Sequence, residues 1–294
     1  MRKFLVPLSG QHDPDDPAAL DGSALTAAFT LARRVEAHVE VFCIGAEVAD
    51  APARLAPWVP GSAVELVLKS IEEESENRRR RARDLFAGMV KAFGDPPYAT
   101  RGADTGFSVD FTEAVGAVAD SVAVRGRIAD LVVAANRPGA SLDDMPPILS
   151  SALRDTGRPV LIPGRAPAPE SIGARVLVAW DGRETIARTL ALTRDLLARA
   201  DSVTIVAVEG DNPIAPSAEQ AADYLDWHGI DADPHLYPRD GRSVTELLLD
   251  AAAERQADLL VLGASMRGTL QRMVTGDVMD ELLQTAELPL LLAQ

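Results

Sequence analysis

Two loops in the second half of the sequence carry the residues best suited to binding an anionic ligand. The first reads Trp-Asp-Gly-Arg over 180–183, and the second reads Gly-Ala-Ser-Met-Arg-Gly over 263–268, with Gly276 and Asp277 before the next apolar stretch. Glycines let a backbone approach a ligand closely, and the unpaired N–H groups of a helix N-terminus favour negative charge. The pattern makes these two loops the candidate ligand site.

Residue types that perform catalysis are not grouped into a known motif. The four histidines, at positions 12, 38, 228 and 235, lack the spacing of a metal site, and none lies beside a nucleophile motif. The single cysteine, Cys43, lies in an alternating apolar run, which predicts a core position and excludes an internal disulfide or a cysteine-based zinc site. We therefore expect no catalytic residue and no metal.

The charge balance argues against a nucleic-acid-binding protein. The net charge is −15, and residues 166–294 contain no lysine, so few cations are available to neutralise phosphates. The arginine run 78–81 follows Glu72, Glu73 and Glu74, so on a helix it forms pairs such as Glu74 with Arg78 and Glu76 with Arg80. The apolar runs are too short to cross a membrane and no secretory cleavage pattern is present, which predicts a cytoplasmic protein.

The chain contains an internal repeat. Each half has a first apolar strand ending in a glycine turn, a helical stretch and a second apolar strand, and later an Ala-Asp-Leu strand and a closing strand after proline. We divide the chain into domains 1–168 and 169–294, separated by a linker rich in proline and glycine. The first copy carries about 36 extra residues, placed in an insertion at about 46–91 that should form an exposed helix and serve as a spacer or partner surface.

The strands are apolar at nearly every position and alternate with helices, which is typical of a parallel sheet covered on both faces. The predicted fold class is α/β, with two doubly wound open parallel-sheet domains. In such folds ligands bind beyond the carboxyl ends of the strands, where the strand order reverses.

Three motifs together resemble the universal stress protein family. They are the acidic residue and glycine at 181–182, Gly-Arg-Ser-Val-Thr-Glu at 241–246 and Ala-Asp-Leu-Leu-Val-Leu-Gly at 257–263. The resemblance covers both halves and, in the second, extends over 176–293. It implies the fold shared with the adenine nucleotide α-hydrolases. Because the family commonly dimerises through its last strand, the resemblance also implies that the halves pack about a pseudo-twofold axis through their closing strands, 158–162 and 288–292, as two sheets and not one. The result would be an intramolecular pseudo-dimer, with a further homodimer left open.

The resemblance also implies a nucleotide site in the second half. In the ATP-binding branch of the family the loop reads G-x2-G-x9-G-[S/T], which Gly263 and Gly276 match, but Met266 replaces the middle glycine and Asp277 the hydroxyl residue. Gly268 could supply the tight turn instead. The implied site residues are Ala179, Trp180, Asp181, Gly182, Val208, Leu262, Gly263, Met266, Gly268, Gly276, Asp277 and Val278.

The departures from the family loop predict an altered ligand preference. Asp277, read as the N-cap of the last helix, would bring a negative charge to the place where phosphates bind, unless Arg267 or Arg272 compensates for it. We therefore expect weak or absent binding of ATP, with AMP or adenosine tolerated better, and a role for Asp181 near adenine. In the first half, Ser9 and the loop 135–139 lack these features, so a site there is expected to be lost.

Three functions remain open at this point. The first is a non-enzymatic stress-response protein that acts through unidentified protein partners, and it follows mainly from the resemblance. The second is a slow ATP hydrolase, which measurable phosphate release would identify. The third is an inert dimerisation module, whose thermal stability nucleotides would leave unchanged.

Overall fold

The computed structural model describes residues 1–10, 19–45, 61–99, 106–166, 169–210, 215–264 and 277–294. In the first half, strands and helices alternate along the chain. They are β1 (Lys3–Leu8), α1 (Ala19–Val35), β2 (His38–Gly45), α2 (Gly61–Ala92), β3 (Ser108–Val115), α3 (Val118–Gly126), β4 (Leu131–Val133), α4 (Pro147–Asp155) and β5 (Val160–Ile162).

The second half repeats this alternation. Its elements are β6 (Arg175–Ala179), α5 (Glu184–Leu197), β7 (Ser202–Val208), α6 (Ala218–Asp226), β8 (Ala232–Tyr237), α7 (Val244–Glu254), β9 (Leu259–Gly263), α8 (Asp277–Thr285) and β10 (Leu290–Ala293). Within the described ranges, no helix combines the length and apolar character that a membrane crossing requires.

All ten strands belong to one sheet, in the order β3-β2-β1-β4-β5-β10-β9-β6-β7-β8. The strands of each half are parallel to one another, and β5 and β10 pair antiparallel where the halves meet. The prediction that the closing strands join the halves is confirmed, but the expectation of two separate sheets is wrong. Each closing strand would otherwise be an edge with unpaired N–H and C=O groups, and pairing them makes the sheet continuous.

The join has the symmetry that the repeat predicts. Every strand pairing of the first half has its counterpart in the second. At the junction, Leu161 lies opposite Leu291, and these two residues occupy equivalent positions in the repeat. An antiparallel pair of equivalent residues is the arrangement that a local twofold axis produces, so the chain folds as an internal pseudo-dimer.

The apolar strands are buried on both faces, as their composition predicts. In β1, Phe4, Val6 and Leu8 pack into one core, which α1, α5, α6 and the end of α2 cover. Leu5 points into a second core, covered by α3, α4, α7 and α8. Cys43 is buried in the first core, in agreement with the core position expected from its apolar neighbours.

The aspartate of the repeated Ala-Asp-Leu motif has the same structural task in both halves. Asp130 accepts hydrogen bonds from the backbone N–H groups of Arg2 and Lys3, at 2.6 and 3.0 Å. Asp258 accepts one from the N–H of Arg175, the counterpart of Lys3, at 3.0 Å. Each carboxylate thus accepts hydrogen bonds from backbone N–H groups where the chain enters the first strand of its half. These bonds lie at the edge of the sheet opposite the expected ligand site. The motif that marks the repeat most clearly stabilises the fold.

Helix α2 carries the predicted ladder of acidic and basic side chains. Arg78 donates to Glu74 at 3.0 Å, which confirms that pair. The pair expected between Glu76 and Arg80 is wrong, because Arg80 donates to Asn77 instead. These contacts lie on one helix and involve exposed or half-exposed groups, so they add little to the stability of the fold.

The C-terminal part of α2 is not the exposed spacer that its charges predict. Ala82, Phe86 and Val90 are buried, and the Phe86 ring stacks on Phe111 of β3 with 5.1 Å between the ring centroids. Phe29 of α1 meets Phe86 edge-on at 6.3 Å. This part of α2 lies between β2 and β3 in the chain, as α6 lies between β7 and β8. The inserted length is therefore the earlier part of the helix and what precedes it.

A half-buried ion-pair network centred on Glu40 of β2 predicts acid sensitivity. Glu40 is bound by Lys3 at 2.7 Å and by Arg125 at 2.9 Å. Burial acts to raise the pKa of Glu40, but the hydrogen bonds and charges of Lys3 and Arg125 outweigh it, so the pKa is lowered. A lowered folded pKa stabilises the fold above the ordinary glutamate pKa of about 4.3, and this stabilisation is lost as the pH falls through the folded value.

We expect Glu40→Gln to lower the free energy of unfolding by about 1 kcal/mol at pH 7, with the difference from wild type shrinking below about pH 4. Urea unfolding at several pH values measures it. Glu65→Gln in α2 is the control, because Glu65 is exposed. A difference between Glu40→Gln and wild type that stays constant down to pH 2 would contradict the assignment.

Candidate ligand site at the carboxyl ends of the second-half strands

The loop after β6 is held in a fixed conformation by its own side chains. The Trp180 indole Nε1 donates to the carbonyl of Pro216 at 2.7 Å, and the ring is buried. The Asp181 carboxylate accepts the backbone N–H of Arg183 at 3.0 Å, which is the local turn that aspartate favours after a strand. Gly182 has a φ of +71°, and a Cβ there would lie 2.4 Å from the Cβ of Ala215. Glycine is thus required by the turn itself.

Gly263, at the end of β9, allows a second close approach, between β9 and the start of α5. A Cβ at this position would lie 2.5 Å from the backbone nitrogen of Ile186 and 2.9 Å from the carbonyl carbon of Thr185. The first turn of α5 therefore packs directly on the end of β9. Gly263 thus lets the N-terminus of α5 lie against the carboxyl end of β9, and a helix N-terminus favours an anion.

An apolar slot opens between these strand ends and two helices. Its walls come from β6, β7, β9, α7 and α8, and Asp181 and Arg183 lie at its border. We call this cavity the slot. Its apolar lining consists of Ala179, Trp180, Val206, Val208, Val244, Leu248, Leu262, Val278 and Met279, with Gly263.

The structure brings most of the predicted site residues together around the slot. Those that border it are Ala179, Trp180, Asp181, Val208, Leu262, Gly263 and Val278. Gly182 does not border the slot, and it shapes the turn after β6. Met266, Gly268 and Gly276 lie outside the described residues. Asp277 begins α8 and so lies in the first turn of that helix, one position beyond the N-cap that the sequence suggested.

Several slot residues were not anticipated from the sequence. Val244 and Leu248 come from one face of α7, and Met279 comes from α8. The available signal was the Gly-Arg-Ser-Val-Thr-Glu motif, whose Ser243 and Glu246 form a capping box that fixes where α7 begins. A residue one position after that cap and its i+4 neighbour necessarily face the same side.

Among the described residues that border the slot, the charged groups are the Asp181 carboxylate and the Arg183 guanidinium. Both side chains are 29% exposed, and the Nε of Arg183 lies 3.7 Å from Oδ2 of Asp181. Because one Asp181 oxygen is occupied by a backbone N–H and the ion pair is loose, both groups retain hydrogen-bonding capacity toward a ligand. The slot therefore offers a ligand an apolar interior, with one hydrogen-bond acceptor and one cation close together at its border.

The loop after β1, which is the counterpart of the loop after β6, packs against α1 and α2. Asp21 of α1 accepts the backbone N–H groups of Ser9 and Gly10, at 3.0 and 2.8 Å, and burial raises its pKa although these bonds act to lower it. Arg81 donates to the carbonyl of Gly10 at 2.9 Å. A Cβ on Gly10 would lie 2.4 Å from the carbonyl oxygen of Arg78. Helix α2 thus packs on the loop after β1, and the loss of a first-half site stays a prediction.

The described part of the chain has no group of three or more histidine, cysteine, aspartate or glutamate side chains placed to hold a metal ion. Of the described residues that border the slot, those able to contact a ligand offer one carboxylate, one guanidinium, the N-terminus of α5 and apolar side chains.

Comparison with known proteins identifies the second half. Residues 174–294 match the model of the universal stress protein family. The whole chain is similar to the crystal structure of a universal stress protein from Archaeoglobus fulgidus DSM 4304, with a TM-score of 0.66 and 15% identity, covering 99% of this chain and 96% of that one. It is also similar to a functionally unknown protein from Pseudomonas aeruginosa PAO1, with a TM-score of 0.51 and 16% identity, covering 100% and 92%. No curated protein matches the chain.

Proposed function

We propose that this chain, whose residues 174–294 form a universal stress protein family domain, is a non-enzymatic stress-response protein that binds an adenine nucleoside or its monophosphate in the slot. One observation carries the proposal. Asp181, Val208 and Gly263 are far apart in sequence, yet they border one apolar cavity at the carboxyl ends of parallel strands. This is where ligands bind in doubly wound folds.

The chemistry of the slot suits a purine nucleoside. Its walls are aliphatic or aromatic, which favours a flat base of moderate polarity, and pockets of this kind use a few polar groups to fix orientation. Asp181 can accept a hydrogen bond from an exocyclic amine or a ribose hydroxyl. The nearby N-terminus of α5 favours a single negative group.

The same features oppose ATP. The net charge of the protein is −15, and no lysine is present in residues 166–294. Asp277 is the first residue of α8, at the sequence position where the family loop has a hydroxyl residue. At about 4 Å and an effective dielectric constant near 20, two like unit charges repel by about 4 kcal/mol before screening. Each additional phosphate therefore lowers the affinity.

Titration calorimetry with adenosine, AMP and ATP tests the proposal. We expect adenosine and AMP to bind and ATP to bind at least tenfold more weakly than AMP, which corresponds to about 1.4 kcal/mol. Ala179→Leu, which fills the slot, should abolish binding of all three. Ala207→Leu is the matched control, since Ala207 is the neighbouring strand residue that packs toward the opposite core.

Failure of adenosine and AMP to bind, or equal binding by Ala179→Leu and wild type, would contradict the proposal. A thermal stability unchanged by all three ligands would favour the inert module instead. Phosphate release from ATP, lost in Ala179→Leu, would favour the hydrolase.

A further inference from the structure

We propose that Arg183 is the anion-recognition residue of the slot and that it makes a nucleoside monophosphate the preferred ligand over the uncharged nucleoside. This inference rests on the function proposed above, and it adds a residue that the glycine-loop pattern does not contain. Three features of the described residues support it: the position of the guanidinium, the terminus of α5 and the charge balance of the slot.

The Arg183 guanidinium borders the slot with donors to spare. Its side chain is 29% exposed, and its nearest acidic contact is the 3.7 Å approach of Nε to Oδ2 of Asp181. That separation exceeds the usual 2.7–3.2 Å range of a hydrogen bond. Within the described ranges the guanidinium donates no hydrogen bond, so its fork of N–H groups can turn to a phosphate without breaking one. Arginine binds phosphate oxygens in pairs, which gives geometric specificity as well as affinity.

The backbone at Arg183 supplies a second attraction for an anion. Arg183 is the N-cap residue of α5, a helix of 14 residues, and no side chain caps the first turn of that helix. The turn packs on Gly263 at the edge of the slot. The positive end of the helix dipole and the guanidinium therefore lie at the same border, and they act on the same group of a bound ligand.

The charge balance of the slot limits the ligand to one phosphate. Among the described bordering residues, Arg183 is the cation and Asp181 is the anion. A phosphate that draws the guanidinium away leaves Asp181 free to accept a hydrogen bond from the sugar or base. A second or third phosphate would meet no further described cation and would be repelled by Asp181. The pair therefore fits a ligand with one anionic group and at least one donor.

The test compares AMP with adenosine in Arg183→Gln, Arg183→Lys and the control Arg188→Gln, by calorimetry at two salt concentrations. Arg188 is an exposed arginine on the same helix, so the control removes the same charge away from the slot. We expect wild type to bind AMP at least tenfold more tightly than adenosine, with a preference that weakens at high salt. Arg183→Gln should remove most of this preference, leaving the part that the α5 terminus supplies, and should leave adenosine affinity within twofold of wild type. Arg183→Lys should keep part of the preference, and Arg188→Gln all of it.

Equal losses of AMP and adenosine affinity in Arg183→Gln would mean that Arg183 only shapes the site, and would overturn the inference. So would a wild-type protein that binds adenosine as tightly as AMP, although the proposed function would survive that result. If wild type binds neither compound, the proposed function and this inference both fail. Thermal unfolding of each variant without ligand verifies that the fold is intact, since the loose ion pair with Asp181 is the side-chain contact removed.

Discussion

Replacing Asp258 with alanine is expected to lower the free energy of unfolding by about 3 to 4 kcal/mol. The Asp258 side chain is 5% exposed. Its carboxylate accepts the backbone N–H groups of Gly173, Ala174 and Arg175, at 2.9, 3.2 and 3.0 Å, and the hydroxyl of Ser171 at 2.6 Å. Alanine would leave several of these buried donors without a partner, which costs more than the mean value of a hydrogen bond.

The repeat supplies a matched comparison for this prediction. Asp130→Ala in the first half removes the same motif residue, but Asp130 accepts two backbone N–H groups at a more exposed place, so we expect about 1 to 2 kcal/mol. The loss of unfolding free energy in Asp258→Asn should fall between those of the two alanine variants, because the amide keeps the side-chain shape and one acceptor. Urea unfolding of the three variants gives the order. Equal losses for Asp258→Ala and Asp130→Ala would contradict the view that the number of buried donors sets the cost.

These two aspartates illustrate what the sequence could reveal about the fold. The repeated apolar strands, the turn residues and the closing strands predicted the alternation of elements and the internal symmetry, because burial on both faces leaves a strong compositional signal. The continuous sheet was missed. Whether two edge strands pair or merely lie near each other depends on backbone hydrogen bonding between Leu161 and Leu291, on which side-chain patterns carry no information.

Helix α2 was misjudged for a different reason. Its run of glutamates and arginines over 72–81 dominates the composition, so the helix looked solvent-exposed throughout. Phe86 and Val90 follow at helical spacing, but their burial depends on Phe29 and Phe111, which come from other elements. A short apolar stripe at the end of a charged helix predicts packing only once its partners are known.

The candidate site was easier to predict from strands than from helices. Asp181, Val208 and Gly263 lie at strand ends, and the carboxyl edge of a parallel sheet gathers such residues regardless of the details of packing. Val244, Leu248 and Met279 come from helices, where an apolar side chain is far more often part of the core than of a pocket. Arg183 was passed over because an arginine at a helix start has no distinctive spacing, and its value depends on the distance to Asp181.

At Gly164, next to the join between the halves, the neighbouring backbone leaves no room for a side chain. Gly164 follows β5, and a Cβ there would lie 1.9 Å from the carbonyl oxygen of Glu287 and 2.6 Å from the carbonyl carbon of Leu288. Beside it, the N–H of Arg165 donates to the carbonyl of Ala286 at 3.1 Å, and the N–H of Ala166 donates to that of Glu287 at 3.2 Å. The segment after β5 is thus bound to the backbone that leads into β10.

We expect Gly164→Ala to lower the free energy of unfolding by about 3 kcal/mol, because a clash with backbone atoms cannot be relieved by rotating a side chain. The two halves should also unfold in separate transitions, since the clash disturbs the contacts at their junction more than either core. Gly88→Ala is the control, because a Cβ at Gly88 in α2 would contact nothing within 4 Å. That change should stabilise the protein by about 0.5 to 1 kcal/mol. Calorimetric unfolding distinguishes the cases, and one unshifted transition for Gly164→Ala would mean that the junction tolerates the added methyl group.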